Sequence, residues 1–315
     1  MPRTIPVLSV IVASVFILIS ARPSHAQQRP DFHGVWTNAT ATTLERPDEF
    51  SNRAFLTEAE AAAYERTAIE RLLKVIPKDD VVTAADLDET FLDTHLYKMA
   101  DGRRTSLVVD PFDGRLPPLK PEAKKRADAR PPHSYDDPEA LDLDERCLLE
   151  TAFDSSNASP PMVPNPFAQN IYQFVQTRDH LMIYTEVVHD ARVIRIGGAH
   201  VAPTVQKWLG DSIGHWEGDT LVVDTTNFTP KSHFKGSGER LHVVERFTRT
   251  AKGIGYRVTV EDPDTWDRPW TAEIPFAPTS DRMYEYACHE ANYAVELTLR
   301  GARADEKAAQ KAKDR

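Results

Sequence analysis

The sequence predicts a mainly β protein: an antiparallel meander forming a barrel or a sandwich, with an N-terminal helix and a long irregular segment ahead of it. Three observations carry this. Nine short runs rich in Val, Ile, Thr and aromatics follow one another across residues 166–301, separated by Gly, Asp, Pro or Asn. Glu217-Gly218-Asp219 and Lys252-Gly253 have the chemistry of hairpin turns. The crossover helices that a purely parallel α/β sheet requires are missing.

The first element is a signal peptide over residues 1–26. Arg3 supplies a positive start, Val7 to Ile19 form an apolar run, and Ser24-His25-Ala26 is a small-x-small cleavage signal. The run is short for a membrane span, which needs roughly 20 residues. Cleavage implies a periplasmic or secreted protein with no membrane span left. It removes two arginines and no acid, so the net charge goes from −10 to −12. That balance disfavours a nucleic acid or an anionic membrane surface as partner.

Residues 27–165 read as an N-terminal helix and irregular segment packed on the core. Gly34-Val35-Trp36-Thr37 is a short strand candidate, and Thr57-x-x-Glu60 is a capping box opening a helix through Lys74. Residues 75–100 are acidic and mixed, and Leu107-Val108-Val109 is a second short strand. Pro121 to Pro166 is dense in Pro, Asp and Lys, an irregular surface segment. It holds Cys147. With Cys288 the only other cysteine, a disulfide is the simplest reading in an oxidising compartment. It would tie the middle of the chain to its last strand, contributing about 4–5 kcal/mol in the chain-entropy model.

The nine runs of the β domain are Ile171 to Gln176, His180 to Val188, Ala191 to Ile196, Gly214 to Glu217, Leu221 to Thr226, Leu241 to Thr250, Gly255 to Glu261, Trp270 to Phe276 and Met283 to His289. Residues 302–315 are a charged tail, helical at best.

Side chains alternate across a strand, so each run sorts into two faces. In the run from Leu241 the apolar Leu241, Val243 and Phe247 point inward and carry Glu245 with them. A buried carboxylate must be paired or protonated. Glu245 is therefore either held by an inward Arg as a structural pair or tuned as an acid/base in a cavity. His189-Asp190-Ala191-Arg192 sits where one strand ends and the next begins, the place where polar groups converge at a barrel mouth. There His189 and Asp190 are candidates for proton transfer, and Arg192 for binding an anionic or phenolic group. The bland alternative is a turn held by an Asp190–Arg192 contact. In Tyr284-Glu285-Tyr286-Ala287-Cys288-His289-Glu290, His289 is a further acid/base candidate and Tyr286 a substrate contact. Trp216 and Trp270 are candidate ligand-lining rings, as Trp208 and Trp266 are more weakly.

No His-x-His, His-x-x-x-His or Cys-x-x-Cys spacing marks a metal site, and His242 and Glu245, three apart, fall on opposite faces. A nucleophile elbow, a phosphate loop and a dinucleotide fingerprint are likewise missing, so no cofactor is expected.

Pro30 to Thr37, Trp208 to Ser212, Trp216 to Phe228, Glu245 to Arg249 and Tyr284 to Glu290 together resemble a large, uncharacterised family of exported bacterial proteins. The resemblance spans nearly the whole mature chain and implies a shared fold and site, but brings no catalytic residues. Among those relatives Arg or another polar residue is expected where His215 stands, which ranks His215 below His189 and His289. Gly34-Val35-Trp36 also resembles the Gly-x-Trp of the lipocalins' first strand, although it lies far ahead of the strand-rich region.

The leading functional expectation is an exported, cofactor-independent acid/base enzyme (lyase, decarboxylase, isomerase or hydrolase) acting on a small, partly aromatic substrate in a barrel pocket. Its alternative is a lipocalin-like carrier of a small apolar ligand. A third reading, an interaction module of the cell envelope, rests on the irregular N-terminal half.

Overall fold

The computed structural model describes residues 29–74, 97–128, 137–149, 158–165, 170–231 and 234–314. The expected signal peptide lies outside them. Among the described residues no helix is long and apolar enough to cross a membrane.

The strand runs close into a barrel. In chain order the strands are β1 (Gly34–Thr37), β2 (Val108–Asp110), β3 (Ile171–Gln176), β4 (His180–Thr185), β5 (Ala191–Ile196), β6 (Asp211–Glu217), β7 (Thr220–Thr226), β8 (His242–Thr250), β9 (Gly253–Glu261) and β10 (Trp270–Pro278). All but β2 form a ring, closed by β1 between β3 and β10. The strand at Gly34–Thr37 is thus part of the barrel, which is not confined to residues 166–301. β2 adds to β10 beside Thr271 and Ala272, on the edge whose other end β1 occupies through Ala277 and Pro278.

The meander is not antiparallel throughout. A ring with an odd number of strands cannot alternate in direction all the way round, and here β5 and β6 are the parallel pair. Parallel neighbours need a connection of about a dozen residues or more, which residues 197–210 provide. The other departure is Met283 to His289. This stretch is irregular rather than a strand, and β10 is the last strand of the sheet.

Period-2 alternation fills the interior. Val243, Glu245 and Phe247 of β8 are fully buried, as are Leu221 and Val223 of β7, Val258 and Val260 of β9, and Trp270 and Ala272 of β10. Phe247 lies within about 5.0–6.3 Å of Phe32, Phe174 and Tyr256, measured ring to ring, so side chains occupy the barrel axis as in other small barrels. At the β8–β9 turn only glycine fits, because a Cβ on Gly253 would stand 1.9 Å from the Phe276 carbonyl oxygen.

Outside the barrel, Thr57 caps helix α1 (Glu58–Leu73) with both halves of the capping box formed. That helix buries Ala61 and Leu72 in a satellite core with Ala41, Leu56, Tyr97 and Met99. Two further helices are α2 (Pro121–Asp128) and α3 (Ala294–Lys313), the latter lacking any buried residue. The Cys147–Cys288 disulfide is formed, joining the irregular segment to the stretch after β10.

Candidate active site at one end of the barrel

β4 ends at Thr185 and β5 begins at Ala191, so the residues between them turn the chain at one end of the barrel. The turn is strained. Val188 (φ 53°) and His189 (φ 44°) are both left-handed, a conformation that is unusual for any side chain and an outlier for a β-branched one. It is held locally: the Thr185 hydroxyl donates to the Val187 carbonyl at 3.0 Å, and the Thr185 amide donates to the Asp190 carbonyl at 2.9 Å. Valine carries no sequence mark of such a conformation, so neither the strain nor the role of Thr185 was visible beforehand.

The strain aims two ionisable groups. His189 Nδ1 lies 3.1 Å from the Tyr286 carbonyl oxygen. A carbonyl only accepts, so Nδ1 carries the proton, and in the neutral ring Nε2 is left with a lone pair. The ring is exposed. Asp190, half-buried beside it, has an Oδ2 without any hydrogen-bond partner. Burial pushes its carboxyl up to about 7, against the opposing influence of His189. A carboxylic acid that exchanges its proton near neutrality is suited to general acid/base work. Tyr286 is two residues from Cys288, so the disulfide fixes the segment that orients His189.

The other candidates divide by location. Glu245 points inward as alternation required, and Arg192 meets it in a buried bidentate pair, Nη1 to Oε2 at 2.7 Å and Nη2 to Oε1 at 2.8 Å. The Tyr256 hydroxyl donates to Oε1 at 3.0 Å and accepts from the Met162 amide at 3.2 Å. Burial, then Glu245, raises the Tyr256 hydroxyl well above its ordinary pKa, which keeps its proton on the bond. Both carboxylate oxygens are therefore engaged, and the structural pair describes Glu245 better than a free acid/base. The contact considered between Asp190 and Arg192 does not form, because Arg192 is committed to Glu245.

Trp270 is a fully buried core ring edge-on to Trp266, 6.1 Å away, not a ligand-lining one. Trp216 stacks on Phe32 at 5.8 Å under the Arg29 guanidinium, towards the opposite end of β6 from Asp211. Its place is packing too. His289 is exposed on the disulfide-tethered segment. His242 and Glu245 do fall on opposite faces of β8.

Sequence reasoning weighed His242 only as a metal ligand and passed over the row it belongs to outside the barrel: Asp211, Asp224, His200, His242 and Glu261, hydrogen-bonded in series. Two of them lie inside the quoted motifs, and cross-strand neighbours on the outward pleat, such as His242 opposite Glu261, were the available signal. Comparison with protein-family models, with curated proteins and with solved structures finds no match to this chain.

Proposed function

We propose that this protein is an exported, cofactor-independent acid/base enzyme whose proton-transfer groups are Asp190 and His189, acting on a small, partly aromatic substrate at the end of the barrel. One observation carries the reading. A carboxyl with an unpartnered oxygen and a near-neutral pKa sits beside an imidazole on a strained, non-glycine turn. Strain of this kind costs of order 1–3 kcal/mol and clusters at functional sites. Asp190 exchanges a proton with substrate while His189 Nε2 accepts or returns one, which suits lyase, decarboxylase, isomerase or hydrolase chemistry. The disulfide and the apolar leader with its cleavage signal support export to an oxidising compartment. The carrier alternative would place its ligand in the barrel interior, which the aromatic packing around Phe247 makes less favourable.

The test uses the chain from residue 27 in D₂O with small aryl carboxylic acids, phenols and aryl ketones, following turnover and C–H exchange by proton NMR. Asp190→Asn is expected to slow the reaction about 100-fold or more and to remove a pH inflection near 7. Equal rates in the variant would overturn the assignment. Probes that bind but remain unchanged would transfer it to the carrier.

A further inference from the structure

The outward faces of β6 to β9 carry a continuous chain of alternating acids and imidazoles. His200 Nδ1 faces Asp211 Oδ2 at 3.0 Å, and its Nε2 faces Asp224 Oδ1 at 2.9 Å. His242 Nε2 faces Asp224 Oδ2 at 2.7 Å, and its Nδ1 faces Glu261 Oε1 at 2.6 Å. All four ring nitrogens therefore point at carboxylate oxygens. An ionised carboxylate only accepts, and a neutral imidazole donates from one nitrogen alone. The contacts are satisfied together only when both rings are doubly protonated. Three carboxylates outnumber the two cations Lys207 and Arg195, both of which bond Asp211, so the set favours added positive charge on the rings.

The chain also lies across a short seam of the barrel. β5 and β6 meet over two register pairs, Arg195 with Ile213 and Ile196 with Gly214. Their crossover, residues 197–210, contains His200. Asp211, the first residue of β6, gathers His200, the Val201 amide, Lys207 and Arg195 onto one carboxylate. Farther along, Asn227 donates to the Val201 and Ala202 carbonyls.

We infer that His200 and His242 act as a pair of imidazolium staples, so that protonation latches the β5–β6 crossover onto the barrel and alkaline conditions release it. Both side chains are 30% exposed, enough to exchange protons with the medium. The groups facing them are Asp211 from β6, Asp224 from β7 and Glu261 from β9, with Arg195 of β5 and Lys207 of the crossover acting through Asp211. The direction agrees for His242: its hydrogen bond to Asp224, opposed by burial and aided by Glu261, raises its pKa to about 9. This stabilisation is complete below the unfolded value of about 6.5 and is lost as pH rises through about 9.

Nitrogen-15 NMR of histidine-labelled wild-type chain at pH 7.5 should show both nitrogens of His200 and His242 protonated. A neutral tautomer at either ring would overturn the inference without any variant having to fold. Between pH 7 and pH 10 the wild-type melting temperature should fall about 5 °C further than that of His242→Gln. Parallel curves would overturn it. Trypsin cleavage after Lys207, normalised to an unstructured peptide, should be about tenfold faster at pH 9.5 than at pH 7, since local opening governs cleavage. An unchanged rate would show that the crossover is not what the staples hold.

Discussion

At the scale of single residues, the same carboxylate chemistry takes two forms in two environments. Glu245 is fully buried and is matched by Arg192 and Tyr256, whereas Asp190 is partly desolvated and has no cation bonded to it. Removing one partner of a buried pair strands the other charge and costs about 3–5 kcal/mol. Glu245→Gln should therefore destabilise strongly, while Arg192→Met combined with Glu245→Leu should recover much of the loss; urea midpoints of the singles and the double decide it. Asp190 behaves oppositely. Its folded pKa lies above its unfolded one, so its contribution is fully present below about 3.9 and is lost as pH rises through about 7. Asp190→Asn should then stabilise the fold by about 2 kcal/mol at pH 8 and leave it nearly unchanged at pH 4. Lost activity combined with gained stability would identify a group kept for chemistry and not for folding.

At the scale of elements, the disulfide links two pieces of irregular chain that the sheet does not hold. The sequence separation between Cys147 and Cys288 is 141 residues, which the chain-entropy model converts to about 5 kcal/mol. The double change Cys147→Ser with Cys288→Ser should shift the urea midpoint accordingly. It should also lower any Asp190-dependent activity by more than the unfolded fraction explains, because Tyr286 would no longer hold His189. Alternation was sufficient to find β3 to β5 and β7 to β10, and to place Glu245 inside, because each of these strands has one apolar face against the core. It erred at Met283 to His289, where Tyr284 and Tyr286 suggested a strand but the stretch pairs with no other strand. The helix start at Thr57 was legible because a capping box is local chemistry. The parallel seam was not, since a period-2 pattern says nothing about which strand a loop returns to. Val188 was equally hidden, its left-handed backbone being imposed by the turn around it.

At the scale of the whole molecule, these groups combine into one pH profile. Burial pushes the Asp211 carboxyl up, but hydrogen bonds from Lys207, the Val201 amide and His200 outweigh it and hold it at about 2. Asp224 is lowered chiefly by its bond to His242, against burial. Both contribute stability that is present above their unfolded pKa of about 3.9 and is lost as pH falls through the folded values. Asp190 removes stability between about 4 and 7, and His242 removes more between about 6.5 and 9. The wild-type melting temperature should therefore peak near pH 4–5, whereas Asp190→Asn should hold a plateau to about pH 6.5 before the imidazolium loss begins. General charge repulsion offers a competing account, because the chain carries −10 at pH 7 and its pI is about 5.6. Salt separates the two. At 1 M the screening length is about 3 Å, which suppresses long-range repulsion but leaves bonded, partly buried pairs largely intact. A maximum that keeps its position at high salt and moves in Asp190→Asn belongs to the named groups; one that flattens with salt in both proteins belongs to net charge.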